Sequence, residues 1–548
     1  MPRSRRGAPL AFEVSSRATS LLKGLCIALT CAVLILIAYI TRHASLDPRS
    51  VHIDDAWVLL GWKSHRWVDI QRAGSASLGF VLLLRGWLGI FGFSYGHAQL
   101  LPFVASLLSA PAFLLVAMRM RFRYPAAILG GAMLLASPTL VSYSTRVKQY
   151  SLEVLLAILL IGLAAAILRD PTARRSWIFF VLGSVVALAI SFALLGVVVA
   201  GFAAGLVAFL RQEGINGLWR SCALSCTAAA ALFAGGWFLV VIRPTLSTAL
   251  RDFWSGFYLS EAVGRPQVAP WWHWTDTTSN GLLVHDWKLF QFLFEGAFTG
   301  PFIVLLIGFV AATALVALRR PFQAVLFGIP FVIAVGGSAA QLTPLGGGRT
   351  DAWLYAPMLF MIVSAVDIIL QWAHGAERRN VGGAKPRSAV SRGRGLVLSG
   401  LVSLTALVCV LNIPSPSAFP WPDVVPLVGK LEAGRGSSDL VVVAPNFTFN
   451  YALEAPEDVT TKVSTRNSTH FTPVLRGVNT MNWQDYAAPM REFDKRLSGV
   501  RDVWLLDAPE LIYPLGAAPR RELANQGFLL STESKSVGGV LEHWRRSS

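Results

Sequence analysis

Charge is scarce in this chain of 548 residues, in which Asp, Glu, Lys and Arg together make up only 14%. Hydrophobic residues make up 54%, and the mean hydropathy is +0.54. In a soluble globular domain roughly a quarter of the residues are charged, and a disordered chain cannot be this apolar. Both classes are therefore excluded. The composition predicts an α-helical multi-pass membrane protein, with enough length left for a small aqueous domain.

Cysteine is scarce as well. All five cysteines lie within apolar runs, so no disulfide framework is expected. The net charge of +17 would suit a nucleic-acid-binding protein, but the Arg and Lys residues gather in short segments between apolar runs. That arrangement is typical of membrane orientation signals. We therefore expect a lipid bilayer, and no nucleic acid, as a partner of this chain.

Apolar runs of the roughly 20 residues needed to cross the hydrocarbon core recur along the sequence. We expect about eleven transmembrane helices, at 21–40, 98–118, 125–143, 151–168, 177–193, 194–210, 221–242, 299–318, 322–340, 352–372 and 396–413. The first follows a basic stretch, and no small-residue cleavage site comes after it, which indicates an uncleaved span. Residues 177–210 could instead form one kinked region, which would change the count.

Arginine marks one side of this topology. The short segments on the side of the N-terminus are all basic, at 119–123, 169–175, 211–220, 319–320 and 373–395. By the positive-inside rule that side is the cytoplasm. The excess of Arg over Lys is typical of a GC-rich bacterium, so the expected location is a bacterial inner membrane.

Three segments on the outer side are too long for simple turns: 41–97, 243–298 and the tail 414–548. In the first, we predict two helices lying in the interface plane, at 55–70 and 78–93, with Trp at the level of the lipid headgroups. The alternative is that the second of these crosses the membrane, which would invert the topology downstream.

The tail has a different character. Residues 439–444 and 500–507 are short buried-strand patterns, and 519–528 reads as a helix running into a further strand. This alternation predicts a small α/β domain. The predicted organisation is therefore a cytoplasmic N-terminus at 1–20, a transmembrane domain at 21–413 and an extracytoplasmic α/β domain at 414–548.

The sharpest local motif follows the first span and contains His52, Asp54, Asp55 and Trp57. Two adjacent carboxylates at a membrane surface can hold a divalent cation or act as a general base. Alternatively, an Asp at the start of an amphipathic helix caps its free backbone amides. One of the pair could cap while the other performs chemistry.

A second motif lies at the outer junction of two spans and contains Arg146, Lys148, Tyr150 and Glu153. Ionisable groups that border an apolar run are costly there and usually face a polar cavity. Two cations within three positions suit a phosphate, which needs charge and hydrogen-bond donors together. The alternative is that both cations extend to lipid headgroups.

A third motif, from Pro344 to Arg349, places three glycines and an arginine at the outer end of a span. Glycines let the backbone approach a ligand closely, and an outer Arg runs against the trend of basic segments inside. The alternative is a tight turn with an idle Arg. The aromatic residues of 243–298 suit either stacking on sugars or an interfacial belt.

The ordered set of motifs resembles the GT-C glycosyltransferases, which include protein O-mannosyltransferases and the aminoarabinose transferases of lipid A. It is most similar to a bacterial group that shares a dolichyl-phosphate-mannose-mannosyltransferase-like and lipopolysaccharide galacturonosyltransferase-like domain. In that group a Lys-Gln-Tyr-Ser-x-x-Glu segment recurs, here Lys148 to Glu153. A Pro-x-Gly-x-Gly-Arg-like turn recurs too, here Pro344 to Arg349. The tail departs from the best-known members.

The resemblance implies a polyprenyl-phosphate-linked sugar donor and inverting transfer to an extracytoplasmic glycan, lipid or protein. It implies Asp54 as the general base, with Asp55 orienting groups or sharing a divalent metal (Mg²⁺ or Mn²⁺) with Asp54; no other cofactor is expected. The remaining residues implied are the donor-phosphate ligands Lys148, Tyr150, Arg349 and Arg146, and the supporting residues Glu153, His52 and Trp57.

Three other functions compete with this one. A transporter or lipid flippase is disfavoured because the sequence shows no inverted repeat and its charges cluster at one face. A polysaccharide polymerase or ligase would use outer Arg residues but would not need the early acidic pair. A non-catalytic scaffold would only present residues 414–548.

The predicted topology can be tested by labelling. Cysteines introduced by Ser50→Cys and Thr350→Cys, beside Asp54 and Arg349, are expected to react with a membrane-impermeant maleimide in intact spheroplasts. A cysteine introduced by Ser388→Cys should react only after permeabilisation. Reaction of the first two from opposite faces would contradict the topology.

Overall fold

The computed structural model describes residues 11–47, 49, 51–63, 76–219, 222–243, 258–259, 277–298, 300–340, 342–346, 350–375, 389–415, 423–444, 448–454, 459–460, 474–475, 480–483, 489–509 and 514–547. Over these residues the chain is mainly helical, with a small β-sheet near the C-terminus.

Within the described ranges, fifteen α-helices precede the C-terminal region: α1 Ala11–Arg42, α2 Ile53–Lys63, α3 Leu78–Phe91, α4 Tyr95–Arg119, α5 Tyr124–Leu135, α6 Pro138–Ser142, α7 Tyr150–Arg169, α8 Arg174–Ile190, α9 Leu195–Trp219, α10 Cys222–Trp237, α11 Thr277–Ala297, α12 Phe302–Arg319, α13 Pro321–Ala339, α14 Ala352–Gly375 and α15 Ala389–Leu411.

Among the described residues, nine helices are long and apolar enough to cross a membrane: 21–45, 95–119, 150–169, 192–217, 222–242, 302–319, 321–339, 352–374 and 393–411. The prediction of a multi-pass helical protein is therefore confirmed. The central helices are α4, α7, α9 and α14, whose spans are 61%, 61%, 61% and 83% buried, against 11% for α1 and α15.

Two of the predicted spans form shorter helices. The helix α5 has only 12 residues, because Ser137 is extended ahead of Pro138 and the chain restarts as the 5-residue α6. The helix α8 has 17 residues and ends where Ser191 adopts an extended conformation (φ −153°, ψ 121°). Residues 177–210 are thus two helices and not one kinked helix.

The helices α2 and α3 lie together at one end of the bundle. Their buried faces share a hydrophobic cluster with the beginning of α4, to which Val51, Phe80 and Leu84 belong. With 14 residues, α3 is about 21 Å long, which is less than the hydrocarbon thickness of about 30 Å. The length of α3 supports the interfacial interpretation of this segment.

The C-terminal region contains the helices α16 Val425–Gly434, α17 Thr448–Glu454, α18 Pro489–Leu497 and α19 Ala518–Asn525. Its strands are β1 Leu440–Val443, β2 Val459–Thr460, β3 Val474–Leu475, β4 Thr480–Asn482, β5 Asp502–Asp507, β6 Phe528–Ser536 and β7 Gly539–Arg546. The predicted strands at 439–444 and 500–507 and the helix near 519 are all present.

Five strands form a mixed sheet in the order β4-β1-β5-β7-β6, in which β1 is parallel to both β4 and β5. Both faces of β1 are buried, because Val441 packs with α16 while Val442 packs with α18 and α19. This explains the uninterrupted apolar run of that strand. At the edges, β4 is only three residues long, and β6 carries a bulge between Leu530 and Thr532.

A buried ion pair ties the helices together at the end of the bundle opposite α2. The carboxylate of Asp367, in α14, accepts hydrogen bonds from the Arg123 amide (2.7 Å) and the Gln371 side chain (2.8 Å). It also pairs with Arg320, which lies between α12 and α13. One carboxylate therefore joins α14 to two connections of the bundle, the one between α4 and α5 and the one between α12 and α13.

We expect Asp367→Ala to lower the free energy of unfolding by about 3–5 kcal/mol, because Arg320 would keep its charge in a largely buried place without its partner. Thermal unfolding in detergent micelles measures this. Asp170→Ala, at the exposed end of α7, is the matched control and should change little. Equal effects of the two substitutions would contradict this role of Asp367.

Candidate active site

His52 determines where α2 begins. Its ring nitrogen Nδ1 accepts a hydrogen bond of 2.9 Å from the backbone amide of Asp54. The His52 carbonyl accepts from the amides of Asp55 and Ala56 (both 2.9 Å). His52 is therefore a capping residue of this helix, and both aspartates lie in its first turn. A negative charge there is favoured by the helix dipole.

Asp55 forms a buried ion pair with Arg146. The Arg146 Nε donates to both carboxylate oxygens of Asp55, at 2.9 and 3.2 Å. The guanidinium also lies over the Tyr143 ring, with its carbon 5.5 Å from the ring centroid. This contact connects the first predicted motif to the second, 91 positions later in the chain.

Asp54 is the more accessible carboxylate of the pair. Its side chain is 24% exposed, against 3% for Asp55. Its Oδ2 lies 3.9 Å from the Arg146 Nη2 and 3.8 Å from the His52 Nδ1. A substrate hydroxyl can therefore approach Asp54, while the carboxylate of Asp55 is occupied by Arg146.

The groups around Arg146 keep its guanidinium charged. Burial opposes that charge, but the neighbouring Asp55 carboxylate outweighs burial and raises the pKa of the guanidinium above its usual value, with Asp54 and Tyr143 adding to the effect. One permanent cation thus faces two carboxylates.

Lys148 lies in the same irregular segment as Arg146, and Tyr150 is the first residue of α7 directly after that segment. The Lys148 amide donates to the Arg146 carbonyl (2.6 Å), which folds the chain tightly ahead of α7. Both side chains are buried, and the Tyr150 ring packs edge-on against Tyr143 with centroids 5.5 Å apart. Three of the predicted phosphate ligands, Arg146, Lys148 and Tyr150, therefore lie where this segment enters α7.

Glu153, in the first turn of α7, is buried and accepts a hydrogen bond of 2.6 Å from the Ser191 hydroxyl. It interacts electrostatically with Asp351, which is also buried and lies just before α14. Asp351 interacts in turn with Tyr355, whose hydroxyl donates to Thr139 (3.3 Å). Asp351, two residues after the third motif, therefore interacts with Glu153 of the second motif.

Arg349 itself lies outside the described residues. Asp351, Tyr143 and Tyr355 are not among the predicted site residues. A sequence signal exists for Asp351, because a carboxylate directly before the apolar run 352–372 requires a polar partner. Tyr143 and Tyr355 give no comparable signal, since aromatic residues are common at the ends of spans.

Gly346 has a packing reason to be glycine. Its φ of +74° favours glycine, and a Cβ placed on it would lie 2.8 Å from the Leu289 Cα. This glycine therefore allows a close approach of the turn to the backbone of α11. Gly347 and Gly348 lie outside the described residues.

The described residues do not fit a resident divalent metal at the acidic pair. No group of three or more His, Cys, Asp or Glu side chains capable of holding a metal occurs within the described ranges. In addition, the Arg146 guanidinium occupies both oxygens of Asp55, where a metal ion would have to displace it. We therefore assign no chemical step to a metal.

The predicted aromatic residues divide into two groups. Trp57 is half-buried against the cluster that joins α2, α3 and α4, and Trp287 packs edge-on against Phe302 with centroids 4.8 Å apart. These two residues support packing. The other tryptophans of 243–298 lie outside the described residues, at Trp254, Trp271, Trp272 and Trp274.

No protein-family sequence model matches this chain, and no curated protein sequence matches it. Solved structures do match. ArnT from Cupriavidus metallidurans in the apo state superposes with a TM-score of 0.53 at 14% identity, over 95% of this chain and 98% of ArnT. The same protein bound to undecaprenyl phosphate superposes with a TM-score of 0.50 at 13% identity, over 94% and 97% of the two chains. The chain therefore shares the fold of ArnT over almost its whole length.

The Asp55–Arg146 pair gives a direct test of the geometry. We expect Arg146→Gln to lower the free energy of unfolding by about 3–5 kcal/mol, because Asp55 would stay buried without its cation. Arg146→Lys should recover only part of this loss, since an ammonium cannot reproduce the hydrogen bonds from Nε. Thermal unfolding of the full chain in detergent measures both.

The double variant Arg146→Gln, Asp55→Asn is the control. Because the two groups interact, its destabilisation should be clearly smaller than the sum of the two single effects. Additive effects would show that the pair is not coupled.

Proposed function

We propose that this protein is a membrane glycosyltransferase, which moves a sugar from a polyprenyl-phosphate donor to an extracytoplasmic acceptor with inversion at the anomeric carbon. The fold supports this proposal, because nearly the whole chain superposes on ArnT, including the structure that holds undecaprenyl phosphate. The motifs from Lys148 to Glu153 and from Pro344 to Arg349 support it independently.

The observation that carries the proposal is the contrast between the two aspartates. Asp55 is locked to Arg146, while Asp54 is accessible beside it and remains within 4 Å of the same guanidinium. In the proposed step Asp54 removes the proton of the acceptor hydroxyl as the hydroxyl oxygen attacks the anomeric carbon. The bond between that carbon and the phosphate oxygen breaks, and its electron pair leaves with the phosphate.

Developing charge on the leaving phosphate needs cations and hydrogen-bond donors placed in advance. We propose Lys148 and Tyr150 for this role. Lys148 lies two residues after Arg146, the partner of Asp55, and the Tyr150 ring packs against Tyr143, over which the Arg146 guanidinium lies. Arg349 is the third proposed donor. Arg146 was grouped with these ligands by its sequence position, but its pairing with Asp55 favours a positioning role instead.

The arrangement of charge also bears on the competing transporter function. The described residues of the proposed site, Asp54, Asp55, Arg146, Lys148 and Tyr150, lie at the end of the bundle where α2 lies, and α17 of the C-terminal region contacts α2 there. A transporter binds its substrate near the middle of the membrane between repeats. Together with the basic segments at the other end, this favours transfer on the extracytoplasmic side, with the C-terminal domain on that side too.

The donor can be identified from a strain that lacks this protein. We expect one polyprenyl-phosphate sugar to accumulate there, because its consumption is blocked, and one envelope glycan, glycolipid or glycoprotein to lose that sugar. Mass spectrometry of the extracted lipids and envelope fractions measures both. A strain with unchanged lipid-linked sugars would contradict the proposed function.

Purified wild-type protein should then transfer the sugar from that accumulated lipid. Asp54→Asn is expected to reduce turnover by about 10²–10⁴-fold, since an amide cannot accept the hydroxyl proton. Asp47→Asn is the matched control in the same segment and should retain activity, because its carboxylate pairs with exposed Arg49. Full activity of Asp54→Asn would exclude Asp54 as the base.

A further inference from the structure

The short helix α17, Thr448–Glu454, connects the C-terminal sheet to the candidate active site. It follows β1, the strand that lies between β4 and β5 in the sheet. Its side chains point in two directions. Tyr451 is buried in the cluster that joins β1, β5 and α16, whereas Leu453 is buried in the cluster of α2, α3 and α4. One helix therefore belongs to two hydrophobic cores.

Two hydrogen bonds join α17 to the two ends of α2. The Asn450 side-chain amide donates to the Val51 carbonyl (3.1 Å), and both residues are buried. At the other end of α2, the Lys63 ammonium donates to the Leu453 carbonyl (2.9 Å). These contacts hold both the start and the finish of the helix that carries the acidic pair.

A third contact fixes α17 itself to the membrane bundle. The Tyr95 hydroxyl donates to the carboxylate of Glu454. Tyr95 is the first residue of α4, one of the central helices. The position of α17 is therefore set by the bundle and the sheet together, and not by α2 alone.

We propose that α17 is a positioning element for the catalytic base, with Asn450 as its principal positioning residue. This inference rests on the proposed function. Val51 directly precedes His52, the capping residue of α2, and Asp54 lies in the first turn that follows. A displacement of the Val51 carbonyl therefore carries Asp54 with it. A misplacement of about 1 Å costs on the order of 10²-fold in rate.

The inference predicts a particular kinetic signature. Asn450→Leu keeps the shape of the side chain but removes its N–H donor, so α2 loses its fixed position while the proposed phosphate ligands on the 143–150 segment stay in place. We expect turnover to fall about 10–100-fold, with the half-saturating concentration of the donor within about twofold of wild type. Hydrogen exchange of the amides of 52–63 should accelerate in the same variant.

A matched set of variants keeps the test independent of folding. Lys63→Met should lower turnover severalfold, and Lys63→Arg, which keeps a donor for the Leu453 carbonyl, should restore it. Asn525→Ala, at an exposed position of α19 in the same domain, should leave kinetics unchanged. Each variant is assayed as the full chain in detergent, with the polyprenyl-phosphate sugar that accumulates in the deletion strain.

The outcomes separate the two proposals. If the wild-type chain does not consume that lipid, the proposed function fails. If the wild-type chain is active and Asn450→Leu turns over at the wild-type rate, the positioning role is overturned while the function stands. The positioning role is equally overturned if Lys63→Arg loses as much turnover as Lys63→Met.

Discussion

The hydrogen bonds between Arg146 and Asp55 join two parts of the chain that belong to no common helix or sheet. Asp55 belongs to a helix lying at the end of the bundle, and Arg146 belongs to the irregular segment ahead of α7. A buried ion pair adds little net stability compared with apolar packing, yet it is costly to break from one side. The pair therefore fixes the position of the first turn of α2 relative to the segment ahead of α7. The accessible carboxylate of Asp54 is held in position because its neighbour Asp55 is fixed.

Two further buried carboxylates lie at the ends of spans. Glu153 is in the first turn of α7, and Asp351, which interacts with it electrostatically, directly precedes α14. Such placement is unfavourable in an apolar environment and is typical of functional sites. The helix α17 joins the C-terminal sheet to α2, which carries the acidic pair, so the two parts of the chain meet beside that pair.

Much of this could be predicted from the sequence, because composition and apolar run length determine where helices can cross a bilayer. The strands near 440 and 502 were predictable from their uninterrupted apolar runs, since both faces of a parallel strand are buried. The hydrogen-bonding partners of the polar side chains could not be predicted in this way. Asn450 and Val51 are 399 positions apart, and no periodic pattern connects residues at that separation. The capping role of His52 was hidden for another reason, because the two aspartates beside it are the commoner capping residues.

The edges of the C-terminal sheet determine whether sheets of neighbouring copies of this protein can pair with each other. An exposed edge strand offers unpaired amides and carbonyls to any other extended chain. Here one edge ends after three residues, and the other is bent by its bulge and carries the charged pair Glu533 and Lys535. Among the described strands, neither edge is a flat template for recruiting a further strand, so copies of this protein crowded in one membrane are protected from joining sheet edge to sheet edge.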